Sequence, residues 1–136
     1  MRKKDSHFSI RPYNEEKDFP EIHRLNQEEG WTNLAARQQD AKAAWDQSTI
    51  AFVVENNGHV VACIRGLTDG CISLYICELL VEVEERGKGI GKALLDYVHR
   101  LYPKTRMELL ASTASQTFYE NHKFRPFYGF RKTIEE

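Results

Sequence analysis

The hydrophobic period of this chain changes along its length, and the order of the changes limits the folds it can adopt. Helical spacing of apolar residues comes first, strand-like runs follow, and one helix then lies between two strands. The Asn-Asn-Gly sequence after the first strand-like run favours a tight hairpin. The predicted helices are 17–29, 34–46, 90–101 and 115–121, and the predicted strands are 8–11, 50–55, 59–67, 71–83, 107–111 and a Phe/Tyr-rich segment that ends the chain.

This order predicts one α/β domain over residues 1–136. A strand, a helix and a strand at such short spacing form a right-handed crossover, so the last strand pair should be parallel. The earlier strands are joined by turns and should be antiparallel. We therefore expect a mixed, largely antiparallel sheet with one parallel βαβ unit and helices on both faces. At 136 residues, folding buries roughly two-thirds of the chain surface, which is enough for a core.

Charge and cysteine content exclude several classes of function. The 19 basic and 20 acidic residues leave no overall field to attract nucleic acid or a membrane surface. Residues 1–7 are polar, and no apolar stretch follows the basic Arg2-Lys3-Lys4, so we predict no signal peptide and a cytoplasmic protein. Cys63, Cys71 and Cys77 lack ligand spacing, as do the five histidines, so we predict reduced, buried thiols and no metal site.

A charged glycine loop lies between the third long strand and the third helix. Glycines let the backbone approach a ligand closely, and a helix N-terminus adds partial positive charge. The sequence departs from both the Walker loop and the dinucleotide fingerprint in the positions of its glycines. The loop is therefore predicted to bind the phosphates of some other ligand. The candidate phosphate-binding residues are Arg86, Gly87, Lys88, Gly89, Ile90, Gly91 and Lys92.

Arg86, Gly89 and Gly91 match the Arg/Gln-x-x-Gly-x-Gly/Ala loop, and the chain here resembles the GCN5-related N-acetyltransferases (GNAT). The likeness extends to Ile10-Arg11-Pro12 in the first strand and to the late segment Phe118 to Phe124. The resemblance implies that acetyl-coenzyme A lies in a cleft where two strands splay apart, with its pyrophosphate on the glycine loop. It also implies that backbone groups near Leu80, Val81 and Val83 pair with the pantetheine arm.

Two positions depart from the family pattern. Lys123 stands where the late element of the family usually has Gly, and Ser112 stands where an Asn often contacts the cofactor. We therefore keep Ser112 as a candidate cofactor-binding residue, while expecting this edge of the site to be reshaped.

Two residues could carry proton transfers in acetyl transfer to an amine. Glu78 is the only charge in an apolar strand, and burying a carboxylate is costly unless it is paired or protonated. It is the candidate base, expected to share its side of the strand with Ile76 and Leu80; the alternative is a structural Glu that faces water or pairs with Arg65. Tyr119 matches a Tyr that the family often places near the coenzyme A sulfur, and it is the candidate acid. The alternative is a core aromatic.

Three aromatic residues could line an acceptor pocket: Trp31, Phe127 and Tyr128. The alternatives for them are the core or a homodimer surface. Cys77 is interpreted as a core thiol, because no His partner is identifiable.

The leading hypothesis is an acetyl-coenzyme A-dependent N-acetyltransferase that acts on a small molecule or an amino terminus by direct attack. One alternative is a coenzyme A-binding sensor or interaction module without turnover. A nucleic-acid-binding module is disfavoured by the balanced charge.

Overall fold

A five-stranded sheet, in the order β1-β2-β3-β4-β5, forms the centre of the protein. The computed structural model describes residues 8–134. The first four strands are antiparallel and β4 and β5 are parallel, as predicted. The strands are β1 (Phe8–Pro12), β2 (Ile50–Asn56), β3 (His59–Thr68), β4 (Ser73–Val81) and β5 (Arg106–Leu109). The helices are α1 (Phe19–Glu29), α2 (Thr32–Ala36), α3 (Gln38–Gln47), α4 (Ile90–Leu101) and α5 (Gln116–Asn121).

Helices cover both faces of this sheet, which confirms the predicted layering. On one face, α4 buries Leu94 and Val98 against Ile64 and Leu74, and all four side chains are fully buried. On the other face, α1 and α3 bury Ile22 and Trp45 in a second cluster. Apolar residues three or four apart on each helix face the sheet, as the helical period predicts.

An ion-pair network fixes the start of α1 to the sheet. Arg11 on β1 donates hydrogen bonds to both oxygens of Asp18 at 2.7 and 3.0 Å and to Glu55 on β2 at 2.7 Å. Burial opposes the ionisation of Asp18, but the hydrogen bonds from Arg11 and from the Asn14 backbone outweigh it, so the Asp18 pKa is lowered. The charged carboxylate therefore anchors α1, whose far end reaches the glycine loop.

Two predicted element bounds and one predicted burial are wrong. The single helix over 34–46 is two helices, because Arg37 has a non-helical backbone (φ −107°, ψ 52°) that apolar periodicity does not detect. The strand expected from Cys71 begins at Ser73 instead. Asp69 Oδ1 accepts hydrogen bonds from the backbone N–H groups of residues 71–73, which extends the turn. As a result Cys71 is exposed rather than buried.

The predicted terminal strand does not form in this structure. Residues 122–134 belong to no strand of the described sheet, although their aromatic side chains favour one. A strand needs a neighbour to complete its hydrogen bonds, and Pro126 within the segment lacks an N–H donor.

The expectation for residues 1–7 lies outside the described residues. Within 8–134, no helix is long and apolar enough to cross a membrane. The same residues contain no cluster of three or more His, Cys, Asp or Glu side chains that could hold a metal ion.

Candidate active site

A β-bulge divides β4 at Cys77. Arg65 on β3 lies opposite Glu78, whereas the next residue, Gly66, lies opposite Ile76, so Cys77 is an extra residue. The extra residue reverses the alternation of side chains. Ile76 packs on the α4 face, whereas Leu80 packs on the α1 face. The prediction that Glu78 shares a side with both was therefore half wrong: regular alternation places Glu78 with Leu80 only.

The bulge also marks the place where β4 and β5 separate. Their pairing runs from Ser73 opposite Arg106 to Ile76 opposite Leu109 and stops there. Beyond Ile76, β4 continues to Val81 with no strand paired to it on its β5 side among the described residues. An open strand edge therefore faces a gap between the two strands, in agreement with the splayed cleft that the family resemblance implies.

Glu78 is held in this region by a buried ion pair with Arg65. Its Oε2 accepts hydrogen bonds from Arg65 Nε at 3.1 Å and Nη2 at 2.9 Å, and the Glu78 side chain is only 8% exposed. Arg65 Nη1 also donates to Ser48 Oγ at 3.2 Å, which orients the guanidinium. The pairing that the sequence offered as an alternative is present in the structure.

The second oxygen of Glu78 remains available. Oε1 accepts no hydrogen bond from residues 8–134, whereas Oε2 is bound by Arg65. This arrangement fixes the carboxylate and leaves one acceptor atom for an incoming proton donor.

Two glycines of the loop adopt a backbone that other residues rarely adopt. Gly87 and Gly89 have φ values of 81° and 84°, in the left-handed region that non-glycine residues enter at a cost. Gly89 is the N-cap of α4, and the first helical hydrogen bond runs from Ala93 N to its carbonyl. The backbone N–H groups of α4 before Ala93 have no acceptor within the helix, so they can donate hydrogen bonds to an anion.

The three cations of this loop are paired with carboxylates at the surface. Arg86 pairs with Glu29 at the end of α1, Lys88 with Glu85 at 2.8 Å, and Lys92 with Asp96 at 2.6 Å. Exposed ion pairs contribute typically ~0–1 kcal/mol, so a phosphate can compete with these carboxylates. Arg86 Nε also donates to the Val81 carbonyl at 2.8 Å, which joins the loop to the end of β4.

Helix α5 closes one side of this region by packing against the first turn of α4. A Cβ on Gly91 would lie 3.1 Å from the Phe118 ring and 3.8 Å from Val81, so the absence of a side chain there permits the contact. Tyr119 follows Phe118 and is half-buried against the α4 face. Burial raises the pKa of the Tyr119 hydroxyl, so the phenol stays protonated at neutral pH.

Glu78 and Tyr119 thus lie on opposite faces of the sheet. Glu78 faces α1 and α3, and Tyr119 packs with the α4 cluster. Because β4 and β5 separate beyond the bulge, a group inserted between the strands can approach both faces. The sequence placed both residues in one site without indicating this two-sided arrangement.

The remaining cofactor candidates differ in what they can offer. Leu80 and Ile90 have buried side chains, so only their backbone groups can meet a ligand. Val83 is 59% exposed in a short 3-10 turn. Ser112 is exposed, and its backbone N–H donates to Ser115 Oγ at 3.0 Å in a turn before α5. Lys123 has φ 72°, which explains physically why Gly would suit this position better.

The acceptor-pocket candidates are not brought together. Trp31 packs partly buried on the α1 and α3 cluster. Phe127 and Tyr128 are 74% and 97% exposed, which rules out the core alternative for them, and Phe127 lies 4.7 Å from the Arg125 guanidinium. Cys77 is half-buried; burial raises the pKa of its thiol and Arg65 opposes that effect. The prediction of a buried core thiol at Cys77 is therefore only partly confirmed, although a raised thiol pKa disfavours a nucleophilic role.

Sequence analysis missed one buried polar group on α1, the helix whose end contacts the glycine loop. Asn26 on α1 is buried, and neither atom of its side-chain amide has a partner among the described residues. An unpaired buried amide costs about 1–3 kcal/mol. Asn26 follows the apolar Leu25 in a helix, and apart from its polar side chain the sequence does not indicate a buried, unpaired amide there.

The comparison with protein families decides which fold family this is. The model of the acetyltransferase (GNAT) domain matches residues 47–126, more than half of the chain. The chain belongs to the GNAT family of acetyltransferases. The matched residues of this GNAT domain include β4, the glycine loop, α4 and α5, which are the elements that build the cleft. A comparison with curated proteins finds no match.

Solved structures share the whole fold at low sequence identity. A GNAT-family acetyltransferase from Streptococcus pneumoniae has a TM-score of 0.78 at 21% identity, covering 95% of this chain and 99% of that one. A GNAT-family protein from Xanthomonas campestris has a TM-score of 0.73 at 28% identity, covering 93% and 94%. An aminoglycoside N-acetyltransferase in complex with coenzyme A has a TM-score of 0.70 at 15% identity, covering 93% and 95%.

Proposed function

We propose that this GNAT domain is an acetyl-coenzyme A-dependent N-acetyltransferase that acts on the amine of a small molecule or an amino terminus. The observation that carries the proposal is the end of the β4 and β5 pairing at Ile76. Beyond that point an open strand edge leads to a glycine loop at a helix N-terminus. An elongated ligand with an amide-bearing arm and a pyrophosphate fits this order of groups.

In this proposal the cofactor is held mainly by the backbone. The N–H groups at the start of α4 and the left-handed glycines bind the pyrophosphate, and Arg86, Lys88 and Lys92 exchange their carboxylate partners for phosphate oxygens. The free edge of β4 near Leu80 and Val81 pairs with the pantetheine arm as an added strand would. Acetyl-coenzyme A then supplies the acetyl group as a thioester.

The two candidate catalytic residues move the protons of the reaction. Glu78 Oε1 takes a proton from the ammonium, directly or through water, and the freed nitrogen forms a C–N bond with the thioester carbonyl carbon. As the C–S bond breaks, the Tyr119 hydroxyl donates a proton to the departing sulfur. The nitrogen loses its second proton as the amide forms, and a proton passed through solvent restores the Tyr119 phenol. A Tyr kept neutral by burial suits the second role, and a carboxylate fixed by Arg65 suits the first.

Cofactor binding can be tested at Gly89. We expect acetyl-coenzyme A to raise the melting temperature, with roughly 2.7 kcal/mol of stabilisation at 100 times Kd. Gly89→Asp should abolish this shift, because it adds strain at φ 84° and a negative charge facing phosphate. Gly89→Asn is the matched control, since Asn tolerates a left-handed backbone and carries no charge. Equal binding by the Asp variant and the parent would place the phosphates elsewhere.

A second candidate function is a coenzyme A-binding module without turnover. The ion pair between Arg65 and Glu78 favours it, because a carboxylate that is satisfied by an arginine can be purely structural. Release of free coenzyme A in the presence of a panel of amines separates the two functions. Tight cofactor binding with no amine-dependent release would support the module.

A further inference from the structure

Arg86 in the glycine loop is held at two points of different origin. Its Nε donates to the carbonyl of Val81, five residues earlier, at 2.8 Å. Its Nη2 donates to the carboxylate of Glu29, which lies at the end of α1 and 57 positions away in the chain. The fold, rather than the local sequence, therefore brings Glu29 to the loop.

The other two cations of the loop pair with carboxylates of their own segment. Lys88 pairs with Glu85, three residues before it, and Lys92 pairs with Asp96, four residues after it. Such short-range pairs follow from the proximity of the residues along the chain. Proximity does not account for the contact between Arg86 and Glu29, which joins two separate elements at the candidate phosphate site.

The two bonds of Arg86 allow one partner to be exchanged while the other is kept. The bond to Val81 fixes the guanidinium, and Nη2 then presents its N–H groups to an oxygen of Glu29. Carboxylate and phosphate oxygens accept from the same face of an arginine. The side chains of Arg86 and Glu29 are 45% and 28% exposed, so the exchange does not leave a buried charge unpaired.

The last turn of α1 carries a second unusual feature. The Asn26 side chain is buried, and its amide has no partner among the described residues. Arg24 holds the preceding turn through Glu21 and the Val60 carbonyl. Buried polar groups are normally hydrogen-bonded, so the free protein holds this turn where one group stays unsatisfied. A small movement of the turn can therefore bring the amide to a partner or to water.

We propose that Glu29 is an internal competitor for a phosphate of the cofactor. It occupies Arg86 Nη2 in the free protein and gives it up when the pyrophosphate binds, which releases the last turn of α1. The inference rests on the proposed cofactor site at the glycine loop. Trp31, a candidate acceptor residue, directly follows this turn, so the exchange links cofactor binding to the position of Trp31.

The test is a double-mutant cycle on the affinity for coenzyme A, measured by calorimetry. Glu29→Gln should lower the Kd by about two- to five-fold, the weight of an exposed ion pair in an equilibrium constant. Glu28→Gln removes the same charge one residue earlier, from a pair with Arg24, and should bind like the parent. Arg86→Gln should weaken binding, and adding Glu29→Gln to it should restore nothing.

Hydrogen exchange tests the release of the helix end. The N–H groups of Gly30 and Trp31 donate to the carbonyls of Gln27 and Asn26 in the last turn of α1. Coenzyme A should speed the exchange of these two amides in the parent. In Glu29→Gln they should exchange fast with or without coenzyme A. Slower or unchanged exchange in the parent would overturn the release.

Failure of this inference differs from failure of the proposed function. A parent that gives no binding heat with coenzyme A would remove the phosphate site, and with it both proposals. A parent that binds coenzyme A as tightly as Glu29→Gln, or more tightly, would overturn the competition alone. An equal gain from Glu29→Gln in the Arg86→Gln background would also overturn it, because the gain would then come from general charge repulsion.

Discussion

The two halves of β4 share a strand but differ in almost every structural property. Residues 73–76 pair on both sides, with β3 and β5, and bury Leu74 and Ile76 against α4. Residues 77–81 follow the bulge, pair only with β3 among the described strands, and carry the ion-paired Glu78. The first half has the hydrogen bonding and packing of a sheet interior. The second half retains unpaired backbone groups and a buried charge, which cost stability and provide binding capacity.

The difference teaches where function can lie within a continuous element. Buried apolar side chains and complete hydrogen bonding leave no group for a ligand, as in the closed half. The open half keeps backbone donors and acceptors along its edge, one free carboxylate oxygen and a glycine loop at its end. We therefore expect substitutions in the closed half to change stability and substitutions around the open half to change activity.

The largest effect on activity is expected at Tyr119, which borders the open half. Tyr119→Phe removes one proton donor and almost no buried area, so turnover should fall by ~10²–10⁴-fold while cofactor affinity stays nearly unchanged. Single-turnover rates and a calorimetric titration measure the two quantities. Tyr75→Phe removes a hydroxyl from a partly exposed ring on β4 and serves as the control. Unchanged chemistry in Tyr119→Phe would return Tyr119 to a packing role.

The closed half should respond in stability instead. Leu74 is fully buried, and Leu→Ala changes in a core cost about 2–5 kcal/mol, so we expect Leu74→Ala to lower the free energy of unfolding by about 3 kcal/mol. Denaturant titration measures the loss. Leu67→Ala on β3 is the matched control, because Leu67 is 47% exposed. If Leu74→Ala also weakened cofactor binding in the folded protein, the two halves would not be independent.

Glu78 distinguishes the chemical and structural interpretations of the open half. Glu78→Gln keeps the size of the side chain and removes the base, so kcat/KM should fall by ~10²-fold near neutral pH. The deficit should shrink at high pH, where the free amine is abundant and needs no base. Glu108→Gln on β5 removes one charge from an exposed strand position and is the control.

The result must be compared with a melting curve, because Glu78→Gln also leaves Arg65 without its charged partner. An unpaired, largely buried arginine is destabilising on its own. A Gln variant that melts early and yet keeps the parental pH–rate profile per folded molecule would assign Glu78 a structural role only.

Local sequence signals predicted the elements that depend on neighbouring residues. Asn57-Gly58 produced the hairpin, and the apolar stripe of α4 identified its buried face. The parallel pairing of β4 with β5 followed from the short crossover. These features require only nearby residues, so the sequence contains them.

Features that depend on distant residues were not predictable in the same way. The bulge at Cys77 arises from the register of β4 against β3, and no residue at that position marks it. The change of strand face at Glu78 and the lack of a strand over residues 122–134 follow from tertiary pairing. Arg65 was identified as one alternative partner of Glu78 because it lies on the adjacent predicted strand. Only the three-dimensional structure shows that Arg65 binds one of the two Glu78 carboxylate oxygens, Oε2.

The smallest effect is expected at Lys123, directly after α5 on the border of the open half. Its φ of 72° lies in the left-handed region, where a residue with a Cβ costs roughly 1–2 kcal/mol. Glycine removes this cost, but its greater freedom in the unfolded chain offsets about 0.5–1 kcal/mol of the gain. Lys123→Gly should therefore stabilise the protein by about 0.5–1 kcal/mol in a denaturant titration. Lys123→Ala removes the charge and keeps the Cβ, so it should give no gain. An equal gain in both variants would attribute the effect to charge rather than to the backbone.

Turnover measured on Lys123→Gly then sharpens the contrast between the two halves of β4. Unchanged turnover would show that the strain beside the open half is incidental, and reduced turnover would show that it helps to hold Tyr119 in place.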